Sequence, residues 1–366
     1  MRVLKGLVPL AVVLFAAAGC GSGSSHHRAN SSDFVFRAVP QGGQGVTTAG
    51  MRAARRIVSA RLDQLPVSSP RVTVCRGDRL VLHVPGGRRT AAKTAAIAAS
   101  AGRLQFFDFE ADLAPPTITR GNPTPYGSLY GLLSAVRSQA GHGGAAEYYL
   151  FDRKHEVQRG PDPTVGLLLA PYGGNRPAGT QVLAVPAHRE LVRGPRSSTT
   201  TRPVGHSKSG VYWYLFKYFP SAPNGPPELT NEDLVPTKVK AETDPNNGVP
   251  AVQLAFTARG AHEFQRITQA EYERGRQRAA KGGHKDEPQY LSTYAQHTAI
   301  VLDGAIKSAL YIPYTDKALA HGVPGRFVAI SMVAEGSSAA RDLVVVLQSG
   351  RLPYTFQPAG HGTCKR

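Results

Sequence analysis

Apolar positions near the start of the patterned region alternate between strand and helix periodicities. Residues 34–39 form a short apolar run that predicts a strand. A helix follows, because apolar residues recur at helical spacing at Met51, Ala54, Val58, Leu62 and Leu65. Thr47 or Thr48 can cap the first turn of this helix, and Pro66 ends it.

The following segments complete a first structural unit. Residues 71–75 and 79–84 alternate like a half-buried hairpin with a turn between them. An alanine-rich helix over residues 91–101 ends at Gly102, and residues 104–109 predict a last strand. The order strand, helix, strand, strand, helix, strand over residues 33–113 predicts a ferredoxin-like sandwich.

The middle of the chain has a weaker pattern. Over residues 114–227 the apolar runs are short, and Pro, Gly, Ser and Thr are frequent. Strand-like runs occur only at residues 148–151 and 211–216. This composition predicts an irregular, strand-poor middle region.

Clear periodicity returns in residues 228–354. A strand over residues 251–256 precedes a helix that Thr257 can cap. Asp303-Gly304 between two apolar runs is a strong hairpin signal, because both positions tolerate positive φ. A strand over residues 326–333 and a helix capped by Ser337 or Ser338 follow. The pattern predicts a second α+β unit, with residues 355–366 as a polar tail, and the fold class of the chain is therefore α+β.

The first twenty residues resemble a bacterial lipoprotein signal. Arg2 and Lys5 precede a short apolar run, and small residues lead up to Cys20. We therefore expect residues 1–19 to be a cleaved signal, Cys20 to carry lipid, and residues 20–32 to be a flexible tether. The alternative is an ordinary cleaved signal with an incidental cysteine.

Charge and cysteine content agree with export. The net charge of +18 suits an anionic neighbour such as a membrane surface, and it becomes about +16 when Arg2 and Lys5 leave with the signal. Cys75 and Cys364 are the other two cysteines, and export makes a disulfide between them permissible. The sequence leaves open whether they pair or are two free thiols.

The sequence shows no catalytic motif, so we expect no enzyme, no cofactor and no metal site. Residues 205–209 lack the final glycine of a nucleophile elbow, and the histidines lack zinc-ligand spacing. Asp108, Glu110 and Asp112 alternate at a strand end, where they could form an acid–base pair, bind calcium, or simply be polar. Residues 259–285 are basic and favour a solvated helix face or lipid headgroups over nucleic acid.

Several of these segments together resemble the first periplasmic domain of SecD, an accessory subunit of the bacterial protein-export translocase. The matching motifs lie at residues 36–43, 79–86, 229–234, 257–261, 299–304 and 340–353. The most specific are the Ala-Ile-Val-Leu-Asp-Gly hairpin and the closing Leu-Pro. The resemblance implies that the first unit is the base and the second unit is the head of that domain.

The departures from SecD limit what the resemblance implies. The Gly-Leu-Asp-Leu-x-Gly-Gly motif that normally follows the first membrane helix is missing, and no apolar run after Leu352-Pro353 approaches a membrane-spanning length. Residues 269–298 are also expanded. We therefore expect the extracytoplasmic base and head of SecD on a lipid anchor at the cell membrane, without the proton-driven membrane bundle.

The resemblance implies a non-enzymatic role in protein export. In that role the protein holds an emerging unfolded preprotein or docks on the SecDF–translocon complex, and strand addition at a sheet edge is one way to bind any sequence. An envelope or cell-wall binding lipoprotein that reuses the fold, and a truncated SecD copy, stay open as alternatives.

Overall fold

The structure is a computed structural model, and it describes residues 31–39, 45–137, 145–196, 202–222, 225–244, 248–284, 286–325, 327–332 and 336–359. The helices are α1 Thr48–Gln64, α2 Arg88–Ala99, α3 Phe109–Asp112, α4 Leu129–Arg137, α5 Val165–Leu169, α6 Ala258–Lys281, α7 Leu291–Tyr294 and α8 Gly336–Gln348. None of the described helices is long and apolar enough to span a membrane.

The strands are distributed over five sheets, which confirms the α+β fold class. They are β1 Ser31–Val39, β2 Arg71–Cys75, β3 Arg79–Pro85, β4 Leu104–Asp108, β5 Ile118–Thr119, β6 Asn122–Pro123, β7 Ala145–Phe151, β8 Val157–Asp162, β9 Gln181–Pro186, β10 Arg189–Gly194, β11 Tyr212–Lys217, β12 Leu229–Thr230, β13 Lys240–Thr243, β14 Pro250–Ala255, β15 Gln296–Leu302, β16 Ala305–Ile312, β17 Phe327–Ser331 and β18 Thr355–Pro358. Ser31 and Ser32 were expected in the tether but already belong to β1.

The base is a four-stranded antiparallel sheet in the order β18-β1-β3-β2. Thr47 caps α1 as predicted, since its side chain accepts a hydrogen bond from the Gly50 amide. The apolar face of α1, with Met51, Ala54 and Val58, packs against the same core as the alanines of α2. This is the order of a ferredoxin-like sandwich, with β18 as the fourth strand.

The prediction that residues 104–109 form the last strand of the base is wrong. These residues do form β4, but β4 pairs with β12 and β15 in another sheet. All five of its residues are buried. Because both faces of β4 are covered by apolar clusters, it fits the interior of a larger sheet and not the edge of the base.

The fourth strand of the base comes instead from the predicted polar tail. Thr355–Pro358 pairs antiparallel with β1, and Phe356 is buried in the base core. The hydroxyl of Tyr354 accepts a hydrogen bond of 2.9 Å from the Thr47 amide at the start of α1. The base is therefore assembled from both ends of the described chain, and the rest of the protein is inserted into it.

The inserted part is organised around a six-stranded sheet, which we call the central sheet, in the order β11-β10-β16-β15-β4-β12. The Asp303-Gly304 hairpin joins β15 to β16 as predicted, with φ of +50° and +68° at these two residues. Thr257 caps α6 as predicted, and α6 packs on one face of the central sheet. Helix α8 packs on β13 and β14 and contributes to the same apolar core. A three-stranded sheet, β13-β14-β17, completes the head.

The middle region differs from the irregular segment that the composition predicts. Strands β7, β8 and β9 form a separate sheet, and β10 and β11 extend the central sheet. Their local pattern is weak because loops rich in glycine and proline separate short strands. Strands β7, β8 and β9 pair with one another, whereas β10 also meets β16, a strand far away in sequence, at the Arg193–Ala305 bridge.

Two connections join the base to the head, and one buried side chain of the base contacts both. Arg61 of α1 donates to the carbonyl oxygens of Ala98 at 3.0 Å and Ser100 at 2.5 Å, at the end of α2. It also donates to the Gly350 carbonyl at 2.7 Å, after the end of α8. Arg61 is fully buried, and this burial lowers its pKa to about 10 although the charge of Asp303 raises it.

The head contributes to the same junction from the opposite side. The Asp303 carboxylate at the hairpin tip accepts hydrogen bonds from the amides of Gly102 and Arg103, at 3.1 and 2.8 Å. Asn231 accepts from the Leu104 amide at 2.9 Å and donates to the Gly102 carbonyl at 2.9 Å. The Asp-Gly hairpin therefore has a second role, since it fixes the first connection between base and head.

Candidate functional site

The head contains a cleft between two strands that lie at sheet edges, and we call it the β16–β17 cleft. Strand β16 pairs with β15 along its length, but on its other side the only described pairing is the Arg193–Ala305 bridge. Strand β17 is an edge of the β13-β14-β17 sheet. Two strand edges therefore face the same cleft.

The backbone groups that face the cleft follow from the strand registers. The Met332 amide bonds the Pro250 carbonyl, so Ile330 and Val328 pair inward with β14, while Ala329 and Ser331 direct their amides and carbonyls outward. The same alternation applies to β16. The His297 amide donates to Glu110 on the β4 side at 2.9 Å, so its partner Tyr311 directs its backbone groups away from β15.

Tyr311 stands between two cavities at this cleft. The first, of about 320 Å³, lies between β16 and β17 and is lined by Asp244, Leu310, Tyr311, Ile312, Leu319, Val323, Val328, Ala329 and Ser331. The second, of about 250 Å³, is lined by Phe109, Pro195, Arg196, His297, Ile306, Ala309 and Tyr311. Tyr311 is 41% exposed and Ala329 is exposed, so the apolar lining is open to an incoming chain.

One wall of the cleft is fixed by the long helix α6. The Thr268 hydroxyl accepts a hydrogen bond of 2.8 Å from the Val323 amide, and the Gln265 side chain donates to the His321 carbonyl at 2.8 Å. Between them, Gly322 has φ of +73°, and a β-carbon there would lie 2.0 Å from the Gln265 carbonyl oxygen. The backbone of the loop that carries Leu319 and Val323 is therefore positioned by side chains of α6 and by its close approach to the helix at Gly322.

A cluster of buried carboxyl groups lies next to the second cavity. Asp108, Glu110 and Asp112, which the sequence placed at a strand end, are all buried at the corner between β4 and α3. Asp108 caps α3 by accepting a hydrogen bond from the Ala111 amide, and Asp112 accepts one from the Asp108 amide at 2.8 Å. The corner is thus stabilised by its own carboxylates.

Each of these carboxyl groups also has a partner on another element. Asp108 forms a two-point ion pair with Arg274 of α6, in which Nη1 lies 2.7 Å from Oδ1. Glu110 accepts from the amide and Nδ1 of His297, at 2.9 and 2.8 Å. These contacts give both residues a structural role in joining α3, α6 and β15. Within the described residues, no group of three or more His, Cys, Asp or Glu side chains could hold a metal ion.

Burial raises the pKa of three carboxyl groups in this cluster. Burial, together with the charge of Asp108, raises the pKa of Asp112 to about 6. Burial, together with the charge of Asp112, raises the pKa of Glu228 to about 9, and these two side chains share a hydrogen bond. Burial also raises the pKa of Glu271, which accepts a hydrogen bond of 2.7 Å from the Thr298 hydroxyl.

The Asp112–Glu228 pair should make stability depend on pH. Both groups hold a proton more tightly in the folded chain than in the unfolded chain, so their contribution is complete at about pH 4 and is lost as pH rises towards 9. One such proton changes the free energy of unfolding by at most about 1.4 kcal/mol per pH unit. We expect Glu228→Gln, which keeps a hydrogen-bond donor without the titration, to flatten this slope between pH 6 and 8.

Urea unfolding of both proteins at several pH values measures this slope, and Glu232→Gln is the matched control at an exposed glutamate of the same segment. Identical slopes for the wild type and Glu228→Gln would show that the pair does not hold a proton.

The basic face of α6 is largely paired within the protein. Arg259 lies 2.6 Å from Asp233, and Arg266 forms an ion pair with Glu263. Arg278 donates to Asn122 at 3.0 Å, and Arg276 lies over the ring of Tyr272 at 5.8 Å from its centroid. Most of the basic side chains of α6 that could contact lipid headgroups therefore have partners within the protein.

The three cysteines have different positions relative to the described chain. Cys75 lies buried at the end of β2 and takes part in a disulfide. Cys20 and Cys364, with the predicted signal and most of the predicted tether, lie outside the described residues. Lipidation of Cys20 and pairing of Cys75 with Cys364 therefore stay predictions.

Sequence reasoning did not find the β16–β17 cleft or Arg61 as a junction residue. Tyr311 was missed because it directly follows Leu310. Two adjacent large residues interrupt the alternation of apolar and polar residues that marks a half-buried strand, at the point where β16 becomes a sheet edge. That break was the available signal. Arg61 sits at a core position of α1, in line with Val58 and Leu62, and a charged residue at such a position was the second signal.

Comparison with known proteins gives one family match, at the head. Residues 223–354 match the family described as SecDF, P1 head subdomain. These residues include β16, β17 and the cleft between them. No curated protein matches the sequence.

Three solved structures that are similar to this chain are of SecDF. A structure described as a membrane component SecDF that enhances protein export is 18% identical, with 90% of this chain and 99% of that chain covered and a TM-score of 0.44. SecDF in a super-membrane-facing form is 17% identical, with 90% and 29% covered and a TM-score of 0.44. SecDF from Thermus thermophilus, a translocon-associated membrane protein, is 18% identical, with 89% and 30% covered and a TM-score of 0.27.

This chain thus spans about 30% of the length of the two longer SecDF chains. The resemblance to the extracytoplasmic part of SecD is confirmed, and residues 223–354 are the part of the chain that carries it.

Proposed function

We propose that this protein is a non-enzymatic accessory factor of protein export, which holds an unfolded exported polypeptide as an added strand in the β16–β17 cleft. The proposal is supported by one observation above the others. The segment that matches the SecDF P1 head subdomain contains two strand edges whose outward backbone groups, at Tyr311, Ala329 and Ser331, face one apolar cleft.

Strand addition fits a client that has no fixed sequence. Hydrogen bonds to the backbone supply affinity that any extended segment can use, and the apolar lining accepts side chains without strict selection. A folded client has already paired its backbone groups, so it cannot add a strand. The cleft should therefore discriminate between unfolded and folded forms of one polypeptide.

The proposed location is the outer face of the cytoplasmic membrane, with Cys20 as the lipid anchor. SecDF and the translocon are proposed partners there, since an exported chain emerges unfolded beside them. The net charge of about +16 after loss of the signal favours an anionic membrane surface as a further partner.

Replacing the outward amide of β17 should weaken binding of an unfolded polypeptide. Ala329→Pro removes this amide without removing a hydrogen bond to β14, because Ala329 points away from β14. We expect affinity for a fluorescently labelled unfolded exported polypeptide to fall by about fivefold, the effect of roughly one hydrogen bond. Titration of the full chain carrying Cys20→Ser, with unfolded and folded forms of that polypeptide, measures it.

Ala329→Val is the matched control, since it keeps the amide and should bind as the wild type does. Tyr311→Ser serves as a second variant that leaves the backbone of β17 untouched and should also reduce binding. Equal affinity for folded and unfolded polypeptide, or no affinity for either, would contradict the proposal and favour the envelope-binding alternative.

A further inference from the structure

One segment of the middle region carries most of the exposed large apolar side chains of the described residues. Seven large apolar side chains of the described residues are exposed, and four of them lie within residues 157–172. They are Val157 on β8 at 46%, Val165 and Leu167 on α5 at 38% and 39%, and Tyr172 at 40%. We call residues 164–174 the apolar loop.

The apolar loop is anchored firmly enough to hold these side chains outward. Leu168 and Leu169 are buried against Leu150 of β7. Thr164 caps α5 by accepting a hydrogen bond of 3.2 Å from the Leu167 amide. The tip closes at Gly173 and Gly174, whose φ values of +67° and +82° favour glycine. Leu167 and Tyr172 are therefore held at the surface by an ordered loop. Folding of the chain alone gives no reason to expose two large apolar side chains there.

Positive charge surrounds the apolar loop. Arg153, Lys154 and Arg176 are exposed, and Arg153 lies against Gly179, five residues after the loop. Arg159 reaches the Leu167 carbonyl at 3.4 Å, which places a further guanidinium beside α5.

The acidic residues nearby offset only part of this charge at the surface. Asp162 is buried and forms ion pairs with Arg37 and Arg159, at 3.1 and 3.0 Å. Asp152 accepts hydrogen bonds from the amides of Lys154 and Glu156 within its own turn. These amides lower the pKa of Asp152, so its side chain stays negatively charged. Asp152 and Glu156 therefore offset two positive charges, and an excess of basic side chains remains beside the loop.

We propose that the apolar loop inserts Leu167 and Tyr172 into the interface of an anionic membrane, while the surrounding arginine and lysine side chains contact lipid phosphates. Exposed apolar groups with a cationic border are the pattern of proteins that lie on a bilayer, and a tyrosine suits the headgroup region. Each basic side chain near an anionic surface adds attraction. The inference rests on the proposed location at the membrane and is separate from the cleft.

Vesicle binding tests the loop independently of the lipid anchor. The full chain carrying Cys20→Ser is sedimented with vesicles of equal parts phosphatidylglycerol and phosphatidylcholine, and with pure phosphatidylcholine. We expect binding to the anionic vesicles, reduced by about thirtyfold in the double variant Leu167→Ser with Tyr172→Ser, because two half-exposed side chains lose their burial. Arg153→Ala with Arg176→Ala should reduce binding to the anionic vesicles only.

Tyr311→Ser is the matched control, because Tyr311 is 41% exposed and Tyr172 is 40% exposed. We expect Tyr311→Ser to reduce polypeptide binding and leave vesicle binding unchanged, and the loop variant to do the reverse. Failure of the cleft and failure of the loop are thereby distinguished.

Insertion itself has a spectroscopic readout. In a Trp213→Phe background, Tyr172→Trp provides the one tryptophan, since the chain has 1 Trp. We expect its emission to shift to shorter wavelength on anionic vesicles and to be quenched by brominated lipid. No vesicle binding by the parent chain, equal binding by the loop variant, or an unchanged emission would each overturn the proposal.

Discussion

Replacing Cys364 by serine is expected to free the Cys75 thiol and to lower the free energy of unfolding by about 5 kcal/mol. Cys75 takes part in a disulfide, and the chain has three cysteines, so its partner is either Cys364 or Cys20. A lipid on Cys20 would occupy that thiol, which leaves Cys364. The loop from Cys75 to Cys364 encloses about 290 residues, and a loop of this length lies at the upper end of the stabilisation that chain entropy allows.

The register of the base sheet brings the two positions within reach. Cys75 pairs with Arg79, Arg79 with Arg37, and Arg37 with Gln357, so Gln357 lies three strands away, about 14 Å. Cys364 follows Gln357 by seven residues, which span up to about 23 Å when extended.

Thiol alkylation under native conditions, followed by mass spectrometry, measures the pairing in the exported protein. The wild type should have no free thiol, and Cys364→Ser should have one at Cys75. The companion variant Cys20→Ser should keep the disulfide. It should also release the protein into the soluble fraction after a high-salt wash, which screens the attraction of basic side chains to anionic lipid. A free Cys75 in Cys20→Ser would assign the disulfide to Cys20 and contradict lipidation there.

Arg61→Met is expected to lower the free energy of unfolding by about 3 kcal/mol, because it leaves three carbonyl oxygens at helix ends without their donor. An unsatisfied buried acceptor costs about 1–3 kcal/mol, and relief of the buried charge offsets part of the sum. The loss should also loosen the junction, since the same guanidinium contacts the connection after α2 and the one after α8.

Urea unfolding measures the first effect, and limited proteolysis at residues 99–103 and 349–353 measures the second. Arg52→Met is the matched control, because Arg52 is exposed on the same helix and its replacement should change stability by less than about 0.5 kcal/mol. Unchanged stability and unchanged cleavage in Arg61→Met would show that the carbonyl groups find other donors.

Elements that local chemistry determines were predictable from the sequence. Thr47 and Thr257 cap their helices as expected, and Asp303-Gly304 forms the expected hairpin. In each case the residues that decide the structure are neighbours in the chain, so a short pattern contains the whole cause.

The sheet that a strand joins was not predictable, because its partner lies far away in sequence. Leu104–Asp108 is a strand in either sheet, and only its pairing with β15 decides which. Thr355–Pro358 alternates Phe356 with polar residues but is too short to indicate a base strand. The β16–β17 cleft was hidden for the same reason, since a strand edge exists only once the order of strands is known.

The insertion of the head between α2 and β18 has a consequence for how the chain folds. Strands β1 and β18 pair across about 320 residues, and contacts so distant in sequence form slowly because loop closure must come first. Folding of the head brings Gly102 and Gly350 to one junction and so shortens the effective loop. The amino-terminal base, although it is made first, is therefore completed last. Until β18 arrives, β1 has an unpaired edge that can pair with another chain.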